Sequence, residues 1–310
     1  MHLRRLTAVA TVAAATIAWF AIAAAAASLA SYDHAPVSGP WSLAPGEYYV
    51  DLTGTSFRTS TGYDADGHIV PLGGTTEERS FRSYVELGWK PRWSLQLSVP
   101  LTTLTESPLA GPAVSVTGLG DFGVGLRRSF ANGPRAGALQ LLWETPAGSN
   151  PDITPSVGDG LQKLTATAQF GGVFCKDAFW QLGGGFRFQY DGLSELGDEL
   201  TRRPDTWQWP EHLITNGAVA MWVGKVQASG QFAADLSSFR SRDYPKTVTS
   251  VALGTRFTYR TDGRLEVFAG SWHTPSGVNA LALNQYYTGL AWKSTKLNRV
   301  QGFLGGDARP

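Results

Sequence analysis

The lengths of the connections limit the fold of this chain more than any other feature. From Gly46 onward the sequence divides into segments of about 10–14 residues separated by two kinds of joint. Lys90-Pro91-Arg92, Ala131-Asn132-Gly133-Pro134, Lys176-Asp177, Gly224-Lys225 and Thr261-Asp262-Gly263 are tight, and most use Gly, Pro, Asn or Asp, the residues that turns favour. Between them lie longer stretches, 59–78, 105–117, 145–161, 191–211, 240–246 and 274–282. Long and short alternate strictly. An up-and-down sheet with tight turns at one end and loops at the other has this layout, as membrane barrels do. Greek-key connections in a soluble sandwich give no reason for it.

The segments themselves alternate. Trp93, Leu95, Leu97, Val99 and Leu101 oppose Ser94, Gln96, Ser98 and Thr102; Phe81, Val85, Leu87 and Trp89 oppose Arg82, Tyr84, Glu86 and Gly88. Period two is the strand signal. It predicts strands over 46–58, 79–89, 93–104, 118–130, 135–144, 162–175, 178–190, 212–223, 226–239, 247–260, 264–273 and 283–293. Aromatics gather beside the short turns: Trp89, Trp93, Phe130, Phe174, Trp180, Trp222, Tyr259 and Trp292. A ring of aromatics at one level is the interfacial girdle of a barrel. The expected fold class is all-β, an antiparallel transmembrane β-barrel of 12 strands.

The first thirty residues read differently. Arg4 and Arg5 precede an uncharged apolar run from Leu6 to Ala27, and Ser28-Leu29-Ala30 supplies small residues for cleavage. That is the pattern of a signal peptide, so export to the outer membrane is expected. The organisation that follows is signal peptide 1–30, an N-terminal periplasmic segment 31–45, the barrel 46–293 and a C-terminal periplasmic tail 294–310. After Ala30 no apolar run is long enough for a helical span. Cys175, the single cysteine, can form neither an internal disulfide nor a cysteine-based metal site. Of the 26 basic residues, the signal peptide takes Arg4 and Arg5 and none of the 25 acids, leaving 24 against 25. A near-neutral balance gives no electrostatic reason to expect nucleic acid.

The polar strand faces should line the interior. On this register they carry Arg82, Glu86, Asp121, Arg127, Glu144, Arg187, Asp235, Arg256 and Glu266 as candidates for a solute pathway. The same residues serve equally as structural ion pairs that stiffen a wall. Twelve strands lie between the filled eight-stranded barrels and the open channels of sixteen or more, so a narrow lumen is expected, closed in part by a loop. Strand glycines such as Gly120, Gly123, Gly125 and Gly183-Gly184-Gly185 mark bends or close approaches; the helix that a phosphate loop needs is missing. His212 and His273 lie near the outer rim, with Ser271 and Ser276 beside His273. An enzyme acting on lipid there would need a nucleophile, a base and an orienting group in reach of one another. Asp64-Ala65-Asp66-Gly67 offers loop oxygens but not the bidentate Glu spacing of an EF-hand. No cofactor, metal or catalytic residue is therefore assigned. The functions in contention are a passive channel, a rim enzyme and a structural barrel.

Several short motifs occur together: Tyr63-Asp64-Ala65-Asp66-Gly67, Leu97-Ser98-Val99-Pro100, Gly118-Leu119-Gly120-Asp121 with Gly125-Leu126-Arg127, and Glu144-Thr145-Pro146-Ala147-Gly148 leading to Gly158-Asp159-Gly160. The set resembles the outer-membrane transporters associated with phenol-degradation meta pathways. The resemblance covers most of the barrel and implies uptake of small apolar or aromatic solutes. Outer-membrane lipid, a small-molecule solute and the barrel-assembly machinery are then the expected partners. Trp292 stands where such barrels end on an aromatic residue, but Ser294 to Pro310 follow it.

Overall fold

A computed structural model describes residues 40–131, 133–147, 162–190, 212–236, 249–261, 264–278 and 280–294. The signal peptide and all but the first residue of the tail lie outside them. The described strands are β1 (Tyr48–Tyr63), β2 (Ile69–Lys90), β3 (Trp93–Pro108), β4 (Val114–Leu119), β5 (Asp121–Ala131), β6 (Arg135–Pro146), β7 (Gln162–Cys175), β8 (Ala178–Tyr190), β9 (His212–Val223), β10 (Val226–Leu236), β11 (Thr249–Arg260), β12 (Leu265–Val278) and β13 (Asn284–Lys293). Each pairs antiparallel with its neighbour, and β1 pairs with β13 from Tyr49↔Lys293 to Phe57↔Gln285, closing the cylinder. β4 and β5 both pair with β3 and are two parts of one wall strand. The molecule is thus a closed antiparallel barrel of twelve strands.

The break between β4 and β5 has a local cause. Pro100 on β3 has no N–H to give, and the register moves from Ser98↔Gly123 to Leu101↔Leu119. The Gly120 N–H bridges the irregularity by donating to the Pro100 carbonyl at 3.0 Å.

Burial runs opposite to that of a soluble sheet. Leu95, Leu97, Phe81 and Leu141 are exposed, while Ser94, Gln96, Glu86 and Arg127 are buried. Apolar side chains therefore face outward and polar ones inward, as lipid requires. Trp89, Phe130, Phe174 and Trp292 are exposed beside the short turns. Trp222, expected among them, shares the inward face of β9 with Ala218 and Ala220 and lies under Arg260, 4.0 Å from ring to guanidinium carbon.

Strand lengths differ most from expectation at the long-loop end. The segment 59–78 is not a loop: β1 runs to Tyr63, β2 starts at Ile69, and only Asp64–His68 connect them. β2 has 22 residues, roughly 70 Å at about 3.3 Å each, against an apolar band about 25 Å tall. Beyond that band neither face needs apolar residues. Thr59, Ser60, Thr61, Thr75, Thr76 and Glu77 therefore lack the alternation that marks a strand, although the backbone ladder holds them. For the same reason β12 extends through Val278 rather than ending at 273.

Candidate functional site in the lumen

All nine candidate residues project from the inward face, but the fold divides them into separate groups. Near the short turns Arg127 pairs with Glu86, and both side chains are fully buried. The Tyr84 hydroxyl donates to Glu86 at 3.2 Å. Towards the other end of the barrel Lys163 pairs with Asp121 at 2.6 Å. Asp235 meets Arg187 at 3.4 Å and His212 Nδ1 at 2.6 Å. Glu266 is held by Arg260 at 3.3 Å and Lys293 at 2.9 Å. Arg82 is within electrostatic range of Glu144, Arg256 and Tyr84.

Arg256 lies over the Phe268 ring at 3.7 Å, within electrostatic range of Tyr49, Tyr287, Asp51 and Glu266. Tyr49, Phe268, Trp272 and Tyr287 form a buried aromatic block against β10, β11 and β13, where Ala233, Ala252 and Ala291 leave room for the rings. Glycines seat the rings: a Cβ at Gly254 would come within 2.6 Å of the Trp272 indole, and one at Gly289 within 2.4 Å of the Phe268 ring. The sequence reading missed this block. Its signal was present, since Phe268 and Trp272 share the parity of Glu266. An aromatic on the polar face breaks the rule that apolar means lipid.

The chief surprise is what occupies the mouth at the short-turn end. A loop was expected to narrow the lumen, but the long connections 148–161, 191–211 and 237–248 lie outside the described residues; here the N-terminal segment enters it. Pro40 is fully buried, and its carbonyl accepts from Ser129 Oγ at 3.3 Å. The Trp41 carbonyl accepts from Arg127 Nη2 at 3.0 Å, and its indole N–H donates to the Gly133 carbonyl at 3.1 Å. The same ring meets Phe179 edge-on at 5.8 Å. Leu43 packs on the aromatic block. Gly46 and Gly88 then tie the segment to β2, the Gly46 N–H donating to the Gly88 carbonyl and the Gly88 N–H to the Glu47 carbonyl, each at 2.8 Å. Gly171 is the seat, for a Cβ there would stand 2.7 Å from Pro40 and 2.9 Å from the Trp41 ring.

Among the described residues, His212, Ser271 and His273, considered for rim chemistry, each have other partners. His273 is exposed and its Nδ1 meets Asn284 Oδ1 at 2.8 Å, while Ser271 Oγ lies 3.3 Å from the Thr255 hydroxyl. His212 has a carboxylate partner in Asp235, but the pair faces the lumen rather than lipid, with Arg187 on the other carboxylate oxygen. In the β1–β2 turn, Asp64, Asp66 and His68 place ligand atoms within 4.8 Å of one another. Asp64 Oδ1 is already committed there, accepting the Asp66 and His68 backbone N–H groups at 2.9 Å each. The His68 N–H leads in holding that carboxyl below its ordinary range, with those of Asp66 and Gly67 adding to it.

A closed barrel with a lipid-type exterior and a charged, aromatic interior is an architecture that outer-membrane β-barrels share. The chain is similar in fold to the crystal structure of an outer membrane channel from Pseudomonas putida F1, with a TM-score of 0.66 and 10% identity over 86% of this chain and 100% of that one. KdgM porin overlaps with a TM-score of 0.48 at 7% identity over 79% of this chain and 98% of its own. NanC porin gives 0.46 at 10% identity over 78% and 98%. At such identities the likeness is one of fold. No protein-family model matches the sequence, and no curated protein does.

Proposed function

We propose that this chain is an outer-membrane channel for passive uptake of small solutes, with the short-turn end in the periplasm and held shut there by its own N-terminal segment. The observation that carries the reading is the seating of Pro40 to Leu43 inside a closed barrel, on Arg127, Gly171 and the aromatic block. A purely structural wall has no use for a separate stopper with its own seat. Paired charges of both signs along the lumen favour a solute of low net charge, because opposite charges largely cancel beyond a Debye length of about 8 Å. Leu43 packs on the buried block of Phe268 and its neighbouring tyrosines, so withdrawal of the segment would uncover planar aromatic faces. They suit the small apolar or aromatic compounds that the resemblance to phenol-degradation transporters implies.

Planar-bilayer recording tests this. The wild-type chain should show small, intermittent conductance with a reversal potential near zero under a salt gradient, and Trp41→Ala should raise the open fraction. Absence of conductance in both would overturn the channel reading in favour of a structural barrel. Hydrolysis of added phospholipid, lost in His212→Ala, would favour the enzyme instead.

A further inference from the structure

Arg127 and Arg128 are neighbours in sequence and opposites in surroundings. Arg127 points inward to Glu86 and Trp41. Arg128 points outward between Leu126 and the exposed Phe130, beside its register partner Leu139, which is exposed as well. Its guanidinium lies 5.2 Å from the Trp93 ring. Trp93 pairs on its other side with Lys90, whose ammonium sits 4.4 Å over the Trp89 ring. Lys90, Trp93 and Arg128 thus form one row across three adjacent strands, about 10 Å wide at roughly 4.8 Å per strand. Arg92 joins it in the turn, with φ at 69° and its carbonyl accepting the Ser129 N–H at 2.8 Å, which fixes the turn against β5.

Of the inward cations, Arg127, Lys163, Arg187, Arg260 and Lys293 have carboxylate partners, and Arg256 lies over the Phe268 ring. Among the described residues Lys90, Arg92 and Arg128 have none. They stand at the girdle level among the exposed side chains of Leu95, Phe130 and Leu139, within reach of a counter-charge from the surrounding lipid. The available one is the headgroup phosphate.

We infer that Lys90, Arg92 and Arg128, with Trp89 and Trp93, form a binding site for the phosphate headgroup of an anionic glycerophospholipid in the periplasmic leaflet. The indoles sit at the polar–apolar boundary, as interfacial tryptophans do. They hold the cations by cation–π contact at the depth of the phosphate, and acyl chains then lie along Val124, Leu126 and Leu139. The site rests on the membrane orientation proposed above but not on conductance.

The test is native mass spectrometry of the full chain released from nanodiscs containing equal amounts of phosphatidylglycerol and phosphatidylcholine. Retained lipid should be enriched in phosphatidylglycerol, and each cation removed should reduce that enrichment about fivefold. K90Q/R92Q/R128Q should therefore abolish it, R128K should keep most of it, and R135Q on the next hairpin should leave it unchanged. Heat-modifiable gel migration confirms that each variant is folded. Retention at the bulk lipid ratio overturns the proposal, as does equal loss in R135Q, which would mean a diffuse basic rim. Displacement of the lipid by millimolar inorganic phosphate would also overturn it, by showing a site for free anion. A variant that conducts normally but has lost the enrichment supports the site and leaves the channel reading intact; a chain that never conducts but keeps it fails only the latter.

Discussion

The Arg127–Glu86 pair shows how much one side chain can hold together here. It joins β2 to β5 over the intervening β3 on the inner wall and supports the Trp41 carbonyl. Removing one partner of a buried pair leaves the other charge uncompensated, which costs about 3–5 kcal/mol. Arg127→Ala should lower the unfolding free energy by that amount in denaturant titrations of the folded barrel. Arg127→Met with Glu86→Gln should recover much of it, because neither group then carries a stranded charge. At the opposite end, Asp64 offers a pH-dependent reading. Folding lowers its pKa, chiefly through the His68 backbone N–H. Its contribution to the β1–β2 turn is therefore full above the unfolded carboxylate pKa and is lost as pH falls through the lowered folded value. The His68 amide resonance should stay constant down through the ordinary carboxylate range and titrate only below it.

Strand faces are the next scale, and β3 provides the cleanest test. Leu95 and Leu97 are exposed to the surrounding medium and Gln96 is buried. Leu97→Arg should cost about 2–4 kcal/mol if that face lies at the bilayer midplane, whereas Leu97→Phe should be close to neutral. Unfolding from vesicles measures both, and equal stability of the two variants would mean that the face does not see lipid. The interior face is limited by space instead. Gly254→Val should lose about 1–3 kcal/mol, the usual penalty for overpacking, because its Cβ would meet the Trp272 ring.

For the whole molecule, the decisive relation is between the cylinder and the segment that precedes it. If Pro40–Leu43 act as a stopper, anything that spoils the seat should open the barrel without unfolding it. Gly171→Val would place a side chain against Pro40 and the Trp41 ring. It should raise single-channel conductance while leaving heat-modifiable migration unchanged, and Trp41→Ala should act in the same direction. An unchanged conductance in both variants would show that the segment does not limit flow.

The sequence by itself determined the barrel. Alternation from Trp93 to Leu101 assigned the lipid face of β3, and the strict succession of tight and long joints assigned the up-and-down topology, because both are local consequences of a strand crossing an apolar layer. The parity of Arg82, Glu86, Arg187 and Glu266 placed them inward on the same basis. Outside that layer the local signal vanished. The upper halves of β1 and β2 were legible only once ladder pairing such as Arg58↔Glu77 was seen. The tertiary structure alone decided which inward charges meet: Lys163 reaches Asp121 over the intervening β6, and Lys293 meets Glu266 diagonally across the β12–β13 ladder. It alone seated Trp41 on Arg127, 86 residues away. A plug contact is a match of shape and hydrogen bonds between distant segments, and neither periodicity nor turn chemistry records it.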